Sequence, residues 1–228
     1  MNAIKKFAAP LFLALLLAAC ASGPKPPDWQ VEAKGSMERS VAAYMEGNSR
    51  VELAELVRAR DQLSRTGRAD LLATAELLHC ATRVASLVFE PCAGFEPLRR
   101  DATPNQGAYA DYLSGRLNPS NIALLPQTQR AAAAGDASAL TGIADPLSQL
   151  VAAGALLQTG KASPAVITQA IDTASGQGWR RPLLAWLGVQ ARRAEQGGDL
   201  EEAARLRRRI EMTQGSAPSV KAPAKDPK

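Results

Sequence analysis

The chain has 228 residues, with 27 Lys and Arg against 22 Asp and Glu, a formal charge of +5. Hydrophobic residues make up 46% and charged residues 21%, a globular balance that excludes a wholly disordered chain. One histidine and three cysteines exclude a His-rich metal site and a zinc cluster. The 44 Ala and 28 Leu, with few β-branched or aromatic residues, favour helix over sheet.

Lys5 and Lys6 precede an apolar run of thirteen, residues 7–19. That run is shorter than the roughly 20 residues a membrane-spanning helix needs and matches the apolar core of an export signal. It ends in Leu17-Ala18-Ala19-Cys20, which resembles the lipobox of bacterial lipoproteins. The resemblance implies cleavage before Cys20 and acylation of that residue. The alternatives are an ordinary cleaved signal or an anchor helix. Ala21 stands where an inner-membrane lipoprotein of that family commonly carries Asp, so the resemblance implies an outer-membrane protein facing the periplasm. Cleavage would remove two Lys and no acid, lowering the formal charge to +3.

Residues 20–32 contain Pro24, Pro26 and Pro27 and read as the lipidated cysteine and a stiff tether. A helical domain is expected over 33–213, with N-terminal helices in 33–90 and a helical-repeat-like part in 107–213. A disordered tail is expected over 214–228. The first helix spans 36–46 and stops at Gly47-Asn48. Ser49 and Glu52 read as a capping box opening the second, with Leu53, Leu56, Val57 and Leu63 as its apolar face. A third helix over 69–89 is apolar on most sides and is expected at the centre of the N-terminal half.

Cys80 lies within that helix and Cys92 follows Pro91, which should end it. An exported chain with two remaining cysteines usually pairs them, so a Cys80–Cys92 bridge is expected, with two buried free thiols as the alternative. A helical turn is expected at 95–100, then helices near 107–116, 120–134, 137–144 and 146–159. Ser163-Pro164 caps a helix over 164–175, and the last two helices span 180–196 and 199–213.

Ala153, Gly160 and Ala165 recur 38 residues later as Ala191, Gly198 and Ala203. With Gly198-Asp199-Leu200-Glu201-Glu202-Ala203, this pattern weakly resembles tetratricopeptide repeats. Ala194 and Arg207 occupy positions where that family carries aromatic residues. The expected fold is therefore all-α: antiparallel helix pairs forming a helical-repeat-like bundle on an N-terminal lipid anchor.

Chemistry is sparse. Gly154 to Gly160-Lys161 departs from a phosphate-binding loop in spacing and lacks its Ser or Thr, since Ala162 follows. Ser22 to Lys25 fits Ser-x-x-Lys but lies in the tether. His79 reads as a packed or edge residue, Glu52/Glu55 and Glu201/Glu202 as capping and solvated pairs, and Trp179 and Trp186 as packing residues. No catalytic residue, metal, cofactor, nucleic-acid partner or small-molecule substrate is indicated.

Two regions could face a partner. Residues 179–209 carry Arg180, Arg181, Arg192, Arg193, Arg205, Arg207, Arg208 and Arg209 against four acids. Arg192, Arg193 and the last four of these form a candidate interaction surface for acidic groups. Residues 101–178 hold only 8 charges in 78 residues and are cheap to desolvate. The expected function is an outer-membrane lipoprotein whose periplasmic helices bind or scaffold an envelope protein. The alternatives are an accessory lipoprotein of a secretion or cell-wall synthesis machine, or an enzyme acting on peptidoglycan.

Overall fold

The computed structural model describes residues 25–215; Cys20, the segment read as an export signal and residues 216–228 lie outside this span. Among the described residues there are nine α-helices, three short 3₁₀ segments and no strand.

Helix α1 (Asp28–Glu46) starts eight residues before the expected first helix, inside the segment read as tether. Pro27 directly precedes it with extended backbone, and Asp28 occupies the first turn, where its charge suits the helix dipole. The early turns hold because Ala33 and Met37 bury one face, with Trp29 packed beside them. Gly47, at φ 93°, closes the helix in the left-handed conformation. Helix α2 (Ser49–Ser64) is capped by Asn48, whose side chain accepts from Val51 N. The expected Ser49–Glu52 capping box does not form. Its apolar face is also narrower than read: Leu56, Ala59 and Leu63 are buried, whereas Leu53 and Val57 are 51% and 60% exposed.

Helix α3 (Ala69–Ala85) ends four residues short of the expected limit. Val88 N returns to Arg83 O and Leu87 adopts φ 62°, so a left-handed turn terminates the helix well before Pro91. Glu96–Leu98 forms the expected turn. Helix α4 (Pro104–Leu113) opens three residues early because Thr103 and Gln106 make a full capping box and Pro104 fills the first position. The helix expected over 120–134 is broken at Pro126 into a 3₁₀ segment, Pro119–Leu124, and α5 (Gln127–Ala134). Residues Ala137–Gly142 are 3₁₀ rather than α-helical.

Helix α6 (Pro146–Gln158) is buried continuously from Gln149 to Leu156. Small residues let it lie close to α3: a Cβ on Gly154 would collide with the Val84 carbonyl. Helices α7 (Pro164–Gly176), α8 (Arg180–Gln196) and α9 (Leu200–Gln214) then pack in series, α7 on α6, α8 on α7 and α9 on α8. Ser163 caps α7 as expected, and Asp199 caps α9. Of the two repeat copies, Gly160 and Gly198 both make left-handed turns, but Ala165 is exposed where Ala203 is buried.

The main core joins α1 with α3 through α9, and a smaller cluster under α1 and α2 holds Met37, Leu56 and Leu63. Helix α3 borders both. The chain closes on itself where α8 meets α1. Trp186, fully buried, donates its indole N–H to Ala85 O at 3.1 Å.

Candidate functional site: an apolar cleft beside an arginine-bearing hairpin

A cleft of about 590 Å³ lies between α3, α4, the Pro119–Leu124 segment, α5 and α6. That volume falls in the roughly 300–1,000 Å³ range of small-molecule sites. Leu77, Leu78 and Ala81 form one wall, and Leu124, Leu147 and Val151 the other. Amphipathic spacing places them there: 77, 78 and 81 share one face of α3, and 147 and 151 are one turn apart on α6.

Several polar groups in the lining are occupied by the scaffold. Gln106 Nε2 donates to Asp70 O at 2.7 Å and Thr74 Oγ1 at 2.9 Å. Asp145 caps α6 by accepting from Ser148 N at 2.7 Å. Arg130 Nε donates to Leu125 O at 2.9 Å. Asn105, Gln127 and Tyr109 also line the cleft without a side-chain hydrogen-bond partner among the described residues; Asn105 and Gln127 are exposed, whereas Tyr109 is partly buried. Burial, reinforced by the Asp145 charge, pushes the Tyr109 hydroxyl well above the usual tyrosine range, so it stays a neutral donor. Behind it the ring of Tyr112 lies 6.1 Å away. Tyr112 donates to Gln129 Oε1 and Gln129 to Ser148 O, each at 2.9 Å, which locks α4, α5 and α6 together.

A smaller cleft, about 200 Å³, lies between the start of α1 and α3 and is lined by Trp29, Ala33, Met37, Leu63 and Leu71. Thr74 borders both clefts. The two clefts make a furrow along α3 from Leu71 to Ala81, a rise of about 15 Å, apolar toward both ends with the Gln106–Thr74 hydrogen bond where they meet.

The expected interaction arginines sit on α8 and α9, two packed helices. Arg205 and Arg207 are engaged, with Glu202 and Glu195, both at 2.6 Å. Arg192, Arg193 and Arg208 are exposed and Arg209 half-buried, and none of the four has an ion pair among the described residues. Arg193 faces a groove that also holds Asp199 and Glu202. Arg181 belongs elsewhere: its guanidinium lies 4.1 Å from the Tyr44 ring centroid and donates to Ser49 Oγ at 2.7 Å.

A buried charged cluster, not foreseen from the sequence, links α1, α2, α3 and α8. Glu52, 1% exposed, accepts from Arg83 at 2.9 Å and lies 3.1 Å from His79 Nε2. Arg83 also reaches His79 Nε2 at 2.9 Å and lies 4.8 Å from the Tyr44 ring centroid. Burial pulls His79 below the ordinary histidine range, as does the Arg83 charge, with Glu52 opposing. Glu55 is buried rather than solvated; the hydrogen bond from Arg39 holds it below the usual carboxylate range, and Arg58 adds a second contact. Glu76 makes a two-pronged pair with Arg60 at 2.5 and 2.6 Å. Gly94 roofs that pair, since a Cβ there would collide with Glu76. These groups neutralise one another inside the bundle and tie helices together.

Cys80 and Cys92 stand at disulfide distance, with Cα atoms 5.7 Å apart. The early end of α3 gives the chain room to double back from Leu87 to Cys92. No helix among the described residues is long and apolar enough to cross a membrane. Comparison of the chain with protein-family models, curated proteins and solved structures gives no significant match.

Proposed function

We propose that the protein is a lipid-anchored component of the bacterial outer membrane, held at Cys20, whose periplasmic helical bundle binds or scaffolds an envelope protein. The lipobox-like Leu17-Ala18-Ala19-Cys20 supports the anchor. The observation that carries the binding role is the arrangement of polar groups. Arg83, Arg60 and Arg39 are committed to internal carboxylates, while Arg192, Arg193 and Arg208 on the terminal hairpin stay free for an acidic partner. Crosslinking in cells, followed by mass spectrometry, tests this reading. It should recover an envelope protein joined to peptides from α8 or α9. Hydrolysis of purified cell wall without any crosslinked partner would replace it with the enzymatic alternative.

The accessory role in a secretion or cell-wall synthesis machine is the same reading with a more particular partner. The crosslinked protein would distinguish the two.

A further inference from the structure

We propose that the furrow along α3 is a binding site for one long acyl chain whose carbonyl or carboxyl head accepts a hydrogen bond from Tyr109. The walls are apolar, and Leu77, Leu78, Ala81, Leu124, Leu147 and Val151 ask nothing of a ligand but burial of hydrocarbon. A polypeptide strand would carry amide groups into this space, each needing a partner. The partly buried Tyr109 hydroxyl, which has no hydrogen-bond partner among the described residues, can donate to the single polar head of a lipid whose tail lacks donors and acceptors. The shape agrees: the two clefts adjoin at Thr74 and together follow about two turns or more of α3.

The source assigned to the ligand is the membrane, and this part rests on the lipid-anchor reading. Cys20 lies eight residues before Asp28, so the connecting chain spans at most about 30 Å. The smaller cleft opens at Trp29, on the first turn of α1, the end of the bundle closest in sequence to the anchor. An acyl chain leaving the bilayer would meet the furrow there. The site's chemistry does not depend on the anchor, and the two claims fail separately.

The test uses the full chain carrying Cys20→Ala, so that acyl groups of its own cannot occupy the furrow, and a fluorescent C16 fatty acid as probe. One-to-one saturable binding, displaced by palmitate, is expected. Tyr109→Phe should weaken it threefold to tenfold by removing the donor to the head group. Thr74→Trp should weaken it at least tenfold by blocking the junction; Thr74 is exposed, so that variant has room to fold. Arg50→Ala, at an exposed residue that lines neither cleft, should leave it unchanged. Absence of saturable binding, or binding indifferent to both Tyr109→Phe and Thr74→Trp, would overturn the proposal. Displacement by an amphipathic peptide but not by palmitate would overturn it in favour of a protein ligand. If the Cys20→Ala chain binds the probe and the acylated wild-type chain does not, the furrow takes the protein's own acyl chain; that supports the acyl site and removes the membrane as source.

Discussion

Trp186 donates its indole N–H to the backbone carbonyl of Ala85, 101 residues earlier, inside the core. Ala85 is the last residue of α3, where helix carbonyls lack partners within the helix. The bond therefore satisfies an otherwise orphaned acceptor and fastens the C-terminal helices to the N-terminal half. Trp186→Phe keeps most of the ring volume but strands that carbonyl. It should destabilise the fold by about 1–3 kcal/mol, read as a lower urea midpoint with an unchanged slope. An unchanged midpoint would show that the contact is only packing.

The same end of α3 is approached by α6 at Gly154. Gly154→Ala places a methyl against the Val84 carbonyl and should cost about 1–3 kcal/mol by overpacking. Gly188, in the interior of α8, meets nothing closer than the tip of Arg192 at 3.6 Å. There Gly188→Ala should stabilise by about 0.5–1 kcal/mol through helix propensity. Opposite shifts in thermal midpoint are the expected result, and shifts of the same sign would contradict the packing argument.

The buried cluster predicts a pH dependence. His79 is the chain's one histidine, and its folded pKa lies below its unfolded value. Glu52 and Glu76 face it with favourable charge and Arg83 with unfavourable charge. Above the unfolded value, near 6.5, the ring is neutral in both states and the full stability is present. As pH falls through 6.5 toward the lower folded value, the unfolded chain takes up the proton first and stability declines. Denaturation midpoints should fall between pH 7.5 and 5.5, and His79→Gln, which keeps an amide beside Glu52, should flatten that slope.

Thiol titration addresses the cysteine pair. The denatured, unreduced domain should show no free thiol from Cys80 or Cys92. Reduction should lower stability by roughly 2–3 kcal/mol for so short a loop. Two titratable thiols would leave the pair as close neighbours without a bond.

Much of the architecture was legible because helix boundaries are local. Gly47 and Ser163-Pro164 each act on the residues beside them, and the ends they mark stand where their chemistry puts them. Where local signals competed, reading faltered. Asn48 and Ser49 are both good caps, and the one that won left Ser49 free for Arg181 on a distant helix. Glu52 and Glu55 look like first-turn capping residues, but Arg83 and Arg39 from neighbouring helices draw them inward, turning Leu53 and Val57 to solvent. The cleft was harder still. Its walls come from residues 74–151, contributed by separate helices, and no spacing within one helix announces such a site. The low charge of residues 101–178 was the one hint, since that segment supplies the wall facing α3. Tyr109 carried no signal, because its lack of a partner is a property of the packed bundle.

The central claim is that Cys20 becomes the acylated first residue of the mature protein. Mass spectrometry of the N-terminal peptide of the protein isolated from membranes tests it directly. The account predicts a peptide beginning at Cys20 with diacylglyceryl on the thioether sulfur, and loss of membrane retention in Cys20→Ala. An unmodified Cys20, or a Cys20→Ala protein still held in the outer membrane, would contradict it.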